Sequence, residues 1–128
     1  EESDYLPHNY THNCVVYTGT HDNDTVMGWY DTLKGADKKL CDDYLRLKNA
    51  DGEPIPREQL PWEFVRAAMS SVADLAIIPM QDYLGLGSEA RINIPSTLGI
   101  NWKWRMGNGD FTKELAGRIR SMTKLYGR

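Results

Sequence analysis

A histidine and two carboxylates fall within four residues in the run Gly19-Thr20-His21-Asp22-Asn23-Asp24-Thr25. Such groups can accept substrate hydrogen bonds, exchange protons or ligate a metal. Burying them together is costly, so the cluster points to the lining of a polar pocket. Asp24 has a second use as a helix N-cap, and the competing reading of His21-Asp22 as a surface turn is disfavoured by the apolar run that precedes it. A metal centre would draw on His8, His12, His21 and the nearby acids. No HxxxH or HxH spacing supports it, and neither a metal nor another cofactor is expected.

Two further polar clusters follow later in the chain. Gln81-Asp82-Tyr83-Leu84-Gly85-Leu86-Gly87 is punctuated by glycines that permit tight turns. Glu89-Ala90-Arg91-Ile92-Asn93-Ile94-Pro95 offers the donors of Arg91 and Asn93. The GxG of Gly85–Gly87 lacks the third glycine of a nucleotide loop and does not open into a helix. Four Trp and seven Tyr are many for this length, and several flank polar residues, as in Gly28-Trp29-Tyr30 and Asn101-Trp102-Lys103-Trp104-Arg105. Flat aromatic faces beside planar polar groups suit sugars, although large aromatics also serve as core.

The elements that must position these groups can be read from periodicity. Residues Glu1 to Asn13 read as a loop. Cys14–Thr18 and Leu75–Pro79 are short continuous apolar runs, each ending at one of the polar clusters. They predict strands buried on both faces, as in a parallel sheet covered by helices. Asn23 or Asp24 is expected to cap a helix carrying Val26, Trp29, Tyr30 and Leu33 as its apolar stripe. A second helix is predicted over Ala36–Lys48, with Leu40, Cys41, Tyr44 and Leu45 on one face. A third starts near Pro61 and carries Trp62, Val65, Met69 and Val72. Residues Leu84 to Gly109 read as a long loop. A last helix is predicted over Thr112–Tyr126, with Leu115, Ile119, Met122 and Tyr126 inward and Gly127 at its end.

In α/β folds, residues that follow parallel strands gather at the C-terminal edge of the sheet, where active sites form. Two strands cannot close their own edges, so the pattern reads as part of a larger α/β body. The chain has 128 residues, whereas a whole (β/α)8 barrel takes about 250.

Composition narrows the partners. A net charge of −3 gives no reason to expect nucleic acid or an anionic membrane, and no apolar run approaches the ~20 residues of a membrane helix. Glu1-Glu2-Ser3-Asp4 is unlike a signal peptide. Cys14 and Cys41 match no zinc or redox spacing and read as reduced packing residues, which favours the cytoplasm.

Taken in order, Leu6-Pro7-His8-Asn9-Tyr10, Tyr17-Thr18-Gly19-Thr20-His21-Asp22-Asn23-Asp24-Thr25, Gly28-Trp29-Tyr30, residues 81–93 and Asn101–Arg105 resemble the amylomaltase, or disproportionating-enzyme, family of glycoside hydrolases. That family belongs to the α-amylase clan. The resemblance implies that residues 1–128 are the C-terminal part of a catalytic (β/α)8 TIM barrel with inserted helices, the two strands being its seventh and eighth. It implies a 4-α-glucanotransferase of starch and glycogen metabolism. Such an enzyme moves an α-1,4-glucan segment, through an aspartate-linked intermediate, to the 4-hydroxyl of glucose or another glucan with retention. Asp22 would then stabilise the transition state through the 2- and 3-hydroxyls of the sugar. His21 would hold the same hydroxyls, and Arg91 and Asn93 would line the cleft. Ile92 stands where relatives more often carry Met.

The family's nucleophile and acid/base motifs do not occur here and are expected upstream of Glu1, so the chain alone is expected to be inactive. The expected partners are α-1,4-glucans and maltooligosaccharides, without nucleic acid or membrane. The surfaces exposed by truncation are expected either to drive self-association or to leave the fragment less rigid than a complete domain. Two other readings compete on the residues themselves. One is a stand-alone carbohydrate-binding module, and the other a metal-dependent hydrolase using His21, Asp22 and Asp24.

Overall fold

The computed structural model describes residues 3–128, so the part of the expected N-terminal loop at Glu1 and Glu2 lies outside the described residues. Val15–Tyr17 form β1 and Leu75–Ile77 form β2. They lie side by side in parallel, with Val16 opposite Ala76. The crossover between them carries α1 (Val26–Thr32), α2 (Gly35–Tyr44) and α3 (Leu60–Met69). Beyond β2 come the short α4 (Met80–Tyr83) and the longer α5 (Lys113–Leu125). Parallel pairing is what a helical crossover of this length allows. No helix among the described residues is long and apolar enough to cross a membrane.

The strands differ from expectation in length and in burial. Each is three residues long rather than five, and each has one open face. Val16 is 4% exposed and packs with Ala68 of α3 and with Ala73, while Val15, Tyr17, Leu75 and Ile77 are 44%, 45%, 51% and 41% exposed. The physical reason is that, among the described residues, helices cover a single face of this sheet. A continuous apolar run predicts cover on both faces but cannot say where the second cover comes from.

Helix α1 is capped by Thr25, not by Asn23 or Asp24: its hydroxyl accepts the Gly28 N–H at 3.1 Å. The buried face is also rotated. Val26, Met27 and Tyr30 enter the core, whereas Trp29 is 46% exposed and rests edge-on against Phe64. Helix α2 stops at Tyr44, four residues before the predicted end, because Arg46 adopts a left-handed φ of 56°. That reversal turns Leu45 and Leu47 into the core with Val26, Met27, Tyr30 and Leu60, and leaves Leu40 exposed. Burying one such aliphatic side chain contributes about 1.5–3 kcal/mol.

The two other predicted helices, α3 and α5, follow the expected spacing, whereas the short α4 forms where the sequence suggested only a polar exit from β2. Pro61 sits in the first turn of α3, where its missing N–H costs nothing. Trp62, Val65 and Met69 are buried, but Val72 lies beyond the end of the helix and is exposed. Leu115, Ile119, Met122 and Tyr126 pack α5 against that same face of α3. Thr112 caps α5 by accepting the Leu115 N–H, and Gly127 takes the left-handed φ of 69° that ends it. Arg118 lies over the Trp62 ring at 3.9 Å, and Arg128 donates to the carbonyls of Met69 and Ser71, closing the C-terminus of α3.

Candidate functional site

Because β1 and β2 run in parallel, their C-terminal ends meet at one edge. The loop of residues 19–25 leaves β1 there, and α4 starts there after β2. The two polar clusters that follow the strands are thereby brought together, as the parallel reading requires.

Asp22 occupies the tip of the first loop with its side chain 51% exposed. Asn93 Nδ2 donates to Asp22 Oδ1 at 2.6 Å, and His21 Nε2 lies 3.4 Å from the same oxygen. Oδ2 accepts no hydrogen bond from the described residues. The loop is held from below by the segment that carries Asn93. Arg91 Nη2 donates to the Asp22 carbonyl at 2.8 Å, Arg91 Nε to the Asn93 carbonyl at 2.9 Å, and the Asn93 N–H to the His21 carbonyl at 3.1 Å. All four residues expected at the site, His21, Asp22, Arg91 and Asn93, therefore meet. Arg91 spends two of its donor groups on main-chain carbonyls, so its observed work is to hold the loop.

Inside the loop, Asn23 Oδ1 accepts from the N–H and the hydroxyl of Thr20, both at 2.8 Å, which folds the turn that raises Asp22. Asp24 is not at the rim. Its carboxylate accepts the Thr25 N–H and the Ser88 hydroxyl, the latter at 2.6 Å. Gly28 faces that latch: a Cβ there would stand 2.4 Å from Ser88 Oγ and 2.6 Å from Asp24 Oδ1.

Asp82 lies beneath the loop and is 1% exposed. It accepts the Thr18 hydroxyl at 2.5 Å on Oδ2 and the Val26 N–H at 2.9 Å on Oδ1. Burial pushes its pKa above the usual carboxylate value, while the Thr18 and Val26 hydrogen bonds pull it back and the Asp24 charge adds to the rise. Gln81 is buried beside it and donates to the Ala90 carbonyl at 3.2 Å. A cavity of about 40 Å³ between the loops is lined by Thr20, His21, Gln81, Asp82, Arg91 and Ile92, among others.

Three contributors escaped prediction. Trp102 was grouped with the aromatics but not with the site, yet its ring lies 5.1 Å from that of His21. Its N–H bonds the Ile92 carbonyl, and its φ of 63° turns the chain there. Asp82 belongs to the second polar cluster of the sequence, but its burial and its role under the first loop are not legible there, and Ser88 falls in the long loop of residues 84–109. The position of Asp82 shortly after an apolar run and its closing proline marks the cluster, while its burial depends on the donors Thr18 and Val26 that fold over it. The metal reading gains no support: among the described residues no group of three or more His, Cys, Asp or Glu could hold an ion. His8 is instead engaged with the Tyr44 hydroxyl at 2.9 Å.

The fold is therefore a parallel α/β unit with a half-exposed carboxylate, held by Asn93, at its C-terminal edge. Residues 1–111 match the family model of the 4-alpha-glucanotransferases, and the chain belongs to that family. It is 50% identical over 125 residues to the 4-alpha-glucanotransferase of Clostridium butyricum, covering 97% of this chain and 24% of that protein. It is 45% identical over 127 residues to the 4-alpha-glucanotransferase of Thermus thermophilus, covering 96% and 25%. Among solved structures it is similar to the amylomaltase from Streptococcus agalactiae in complex with acarbose. The TM-score is 0.85 with 36% identity, over 98% of this chain and 24% of that one. The chain thus spans about a quarter of the length of the curated relatives it matches.

Proposed function

We propose that this chain is the C-terminal part, residues 1–128, of the catalytic barrel of a 4-alpha-glucanotransferase, and that it supplies the carboxylate of Asp22 to the glucan cleft. The reaction is transfer of an α-1,4-glucan segment to the 4-hydroxyl of glucose or of another glucan, with retention of configuration. The observation that carries this reading is the state of Asp22: half exposed, one oxygen anchored by Asn93 and the other free to accept. A sugar at the cleavage point flattens as positive charge develops, and its 2- and 3-hydroxyls become better donors. A fixed carboxylate then binds the transition state more tightly than the ground state. Because Asn93 holds Oδ1 beforehand, little reorganisation is needed at that moment.

His21, Asn93 and Arg91 take substrate-binding roles around Asp22, Arg91 chiefly through the loop it holds. The Streptococcus agalactiae neighbour is an amylomaltase in complex with acarbose, which supports an oligosaccharide substrate for the enzyme as a whole. In this reading β1 and β2 are the seventh and eighth barrel strands, and the three helices between them comprise the barrel helix that the crossover requires together with inserted ones. The nucleophile and the acid/base lie in other parts of the enzyme, so the isolated chain releases no glucose from maltotriose. The two unpaired cysteines fit a reducing cytoplasm and a place in starch or glycogen metabolism.

The test is Asp22→Asn in the full-length enzyme. Turnover should fall by about 10²-fold or more while KM changes little, because the lost interaction belongs to the transition state. Near-normal kcat with a raised KM would make Asp22 an ordinary binding residue.

A further inference from the structure

We propose that Asp82 is a positioning residue for this site, a buried clamp that fixes both ends of the loop presenting His21 and Asp22. The role rests on the reading of Asp22 given above. Thr18 is the residue after β1, and its hydroxyl donates to Asp82 Oδ2. Val26 is the first residue of α1, and its N–H donates to Asp82 Oδ1. One planar carboxylate therefore holds the entry and the exit of residues 19–25 in a single rigid frame. Asp82 is itself fixed, since its N–H donates to the Pro79 carbonyl and its carbonyl accepts the Gly85 N–H.

The cost of this arrangement argues that the geometry matters. No ion pair among the described residues involves Asp82, so the carboxylate is desolvated without a cation to offset it. The other contacts that locate the loop come from Ser88, at the start of a 3-10 turn, and from Arg91 and Asn93 just after it, all nearer the surface than Asp82. Asp82 is the anchor that ties the loop to the sheet edge itself. Loss of the clamp frees both loop ends, and an ångström of displacement at a reacting group can cost about 10²-fold in rate.

The variants are Asp82→Ala, Thr18→Val and Asp82→Asn. Asp82→Ala removes both contacts, and Thr18→Val removes one without emptying the buried site. Asp82→Asn keeps an acceptor for Val26 and turns an amide toward Thr18, whose hydroxyl can reverse its role. Amide hydrogen exchange on the 128-residue chain reads the loop without requiring activity. The Thr20, Asn23 and Asn93 amides, each hydrogen-bonded within or onto the loop, should exchange about tenfold faster in Asp82→Ala and several-fold faster in Thr18→Val, with α3 amides unchanged. Asp82→Asn should stay near the parent. If Asp82→Ala unfolds the chain, Thr18→Val decides. Unchanged loop exchange in Thr18→Val, acceleration shared equally by α3, or Asp82→Asn behaving like the alanine variant would each overturn the clamp. In the full-length enzyme Thr18→Val should lower kcat more than it raises KM. A clamp without that kinetic split would refute the positioning role. A wild-type kcat in Asp22→Asn would instead refute the functional reading, so the two failures are distinct.

Discussion

Asn93 Nδ2 donates to Asp22 Oδ1 at 2.6 Å, although the two residues are 71 positions apart in the chain. The bond joins the loop after β1 to the loop after α4 at the point where both are exposed. It leaves Asp22 with one oxygen oriented by the protein and one for a ligand. Since Asn93 also donates its main-chain N–H to the His21 carbonyl, one residue sets the distance between the two loops and the direction of the carboxylate.

Replacing Asn93 by Asp should therefore be worse than replacing it by Ala. The Ala variant loses one orienting donor, which costs about tenfold in turnover of the full-length enzyme. The Asp variant places two carboxylates in contact, and such a pair shares a proton instead of ionising fully. Turnover at neutral pH should fall about 10²-fold. A kcat profile against pH checks this, with an added ionisation in Asn93→Asp that Asn93→Ala lacks. Equal profiles for the two variants would remove the electrostatic part of the argument.

Gly28→Ala offers a test of the latch behind the loop. A glycine inside a helix ordinarily costs about 1 kcal/mol relative to alanine, so propensity alone predicts stabilisation. Here the new methyl would stand 2.4 Å from Ser88 Oγ and must displace either that hydroxyl or the Asp24 carboxylate bonded to it. The expected result is a net loss of about 1–3 kcal/mol in urea unfolding. The loss should shrink in a Ser88→Ala background, where the latch is already open. A stabilised single variant would show that the latch adjusts freely.

The site was more legible in the sequence than the sheet around it. The His21-Asp22 turn follows an apolar run and precedes a helix, and parallel strands carry such turns to one edge, so its meeting with the Gln81-Asp82 cluster could be anticipated from order, whereas the places of Arg91 and Asn93 followed only from the family resemblance. Other features depend on contacts that no local pattern encodes. Thr25 rather than Asp24 caps α1 because Asp24 is drawn away by Ser88, 64 residues on. Helix α2 ends early because Arg46 accepts a left-handed conformation that places Leu47, only 1% exposed, in the core. Asp82 read as a polar exit because burial of a carboxylate depends on which donors fold over it, here Thr18 and Val26. Periodicity did find α3 and α5, since Val65, Met69, Leu115, Ile119 and Met122 recur at helical spacing on faces that meet.

Asp82 also carries a pH signature of known sign. Its folded-state pKa is raised above the usual 3.8, first by burial. The stability it contributes is complete below 3.8, where it is protonated in both states, and is lost as pH rises through the folded value. Asp82→Asn has no such loss. The difference in unfolding free energy between parent and variant should therefore move against the parent as pH rises from 3.8 through that window, and be flat beyond it. Urea titrations at several pH values measure it. A difference that moves toward the parent with rising pH would mean that the Thr18 and Val26 bonds outweigh burial.

The last expectation concerns the open face of the sheet. Val15 pairs with Leu75 and Tyr17 with Ile77, so these four side chains share one face, and each is more than 40% exposed. A contiguous apolar face of this kind is uncommon on an isolated soluble unit and invites cover. In the full-length enzyme, further chain is expected to cover it. In the isolated 128-residue chain, a second copy is the available cover, and the free strand edges add unpaired main-chain groups. Sedimentation velocity should show self-association that grows with concentration. Val15→Lys with Ile77→Lys should reduce it, because the charged ends keep the face in water. The same pair in the full-length enzyme should cost more than about 2 kcal/mol, since there both ammonium groups would lie under covering chain. A monomeric parent chain at all concentrations, together with a full-length enzyme indifferent to both lysines, would show that the face is solvent-exposed in the working protein as well.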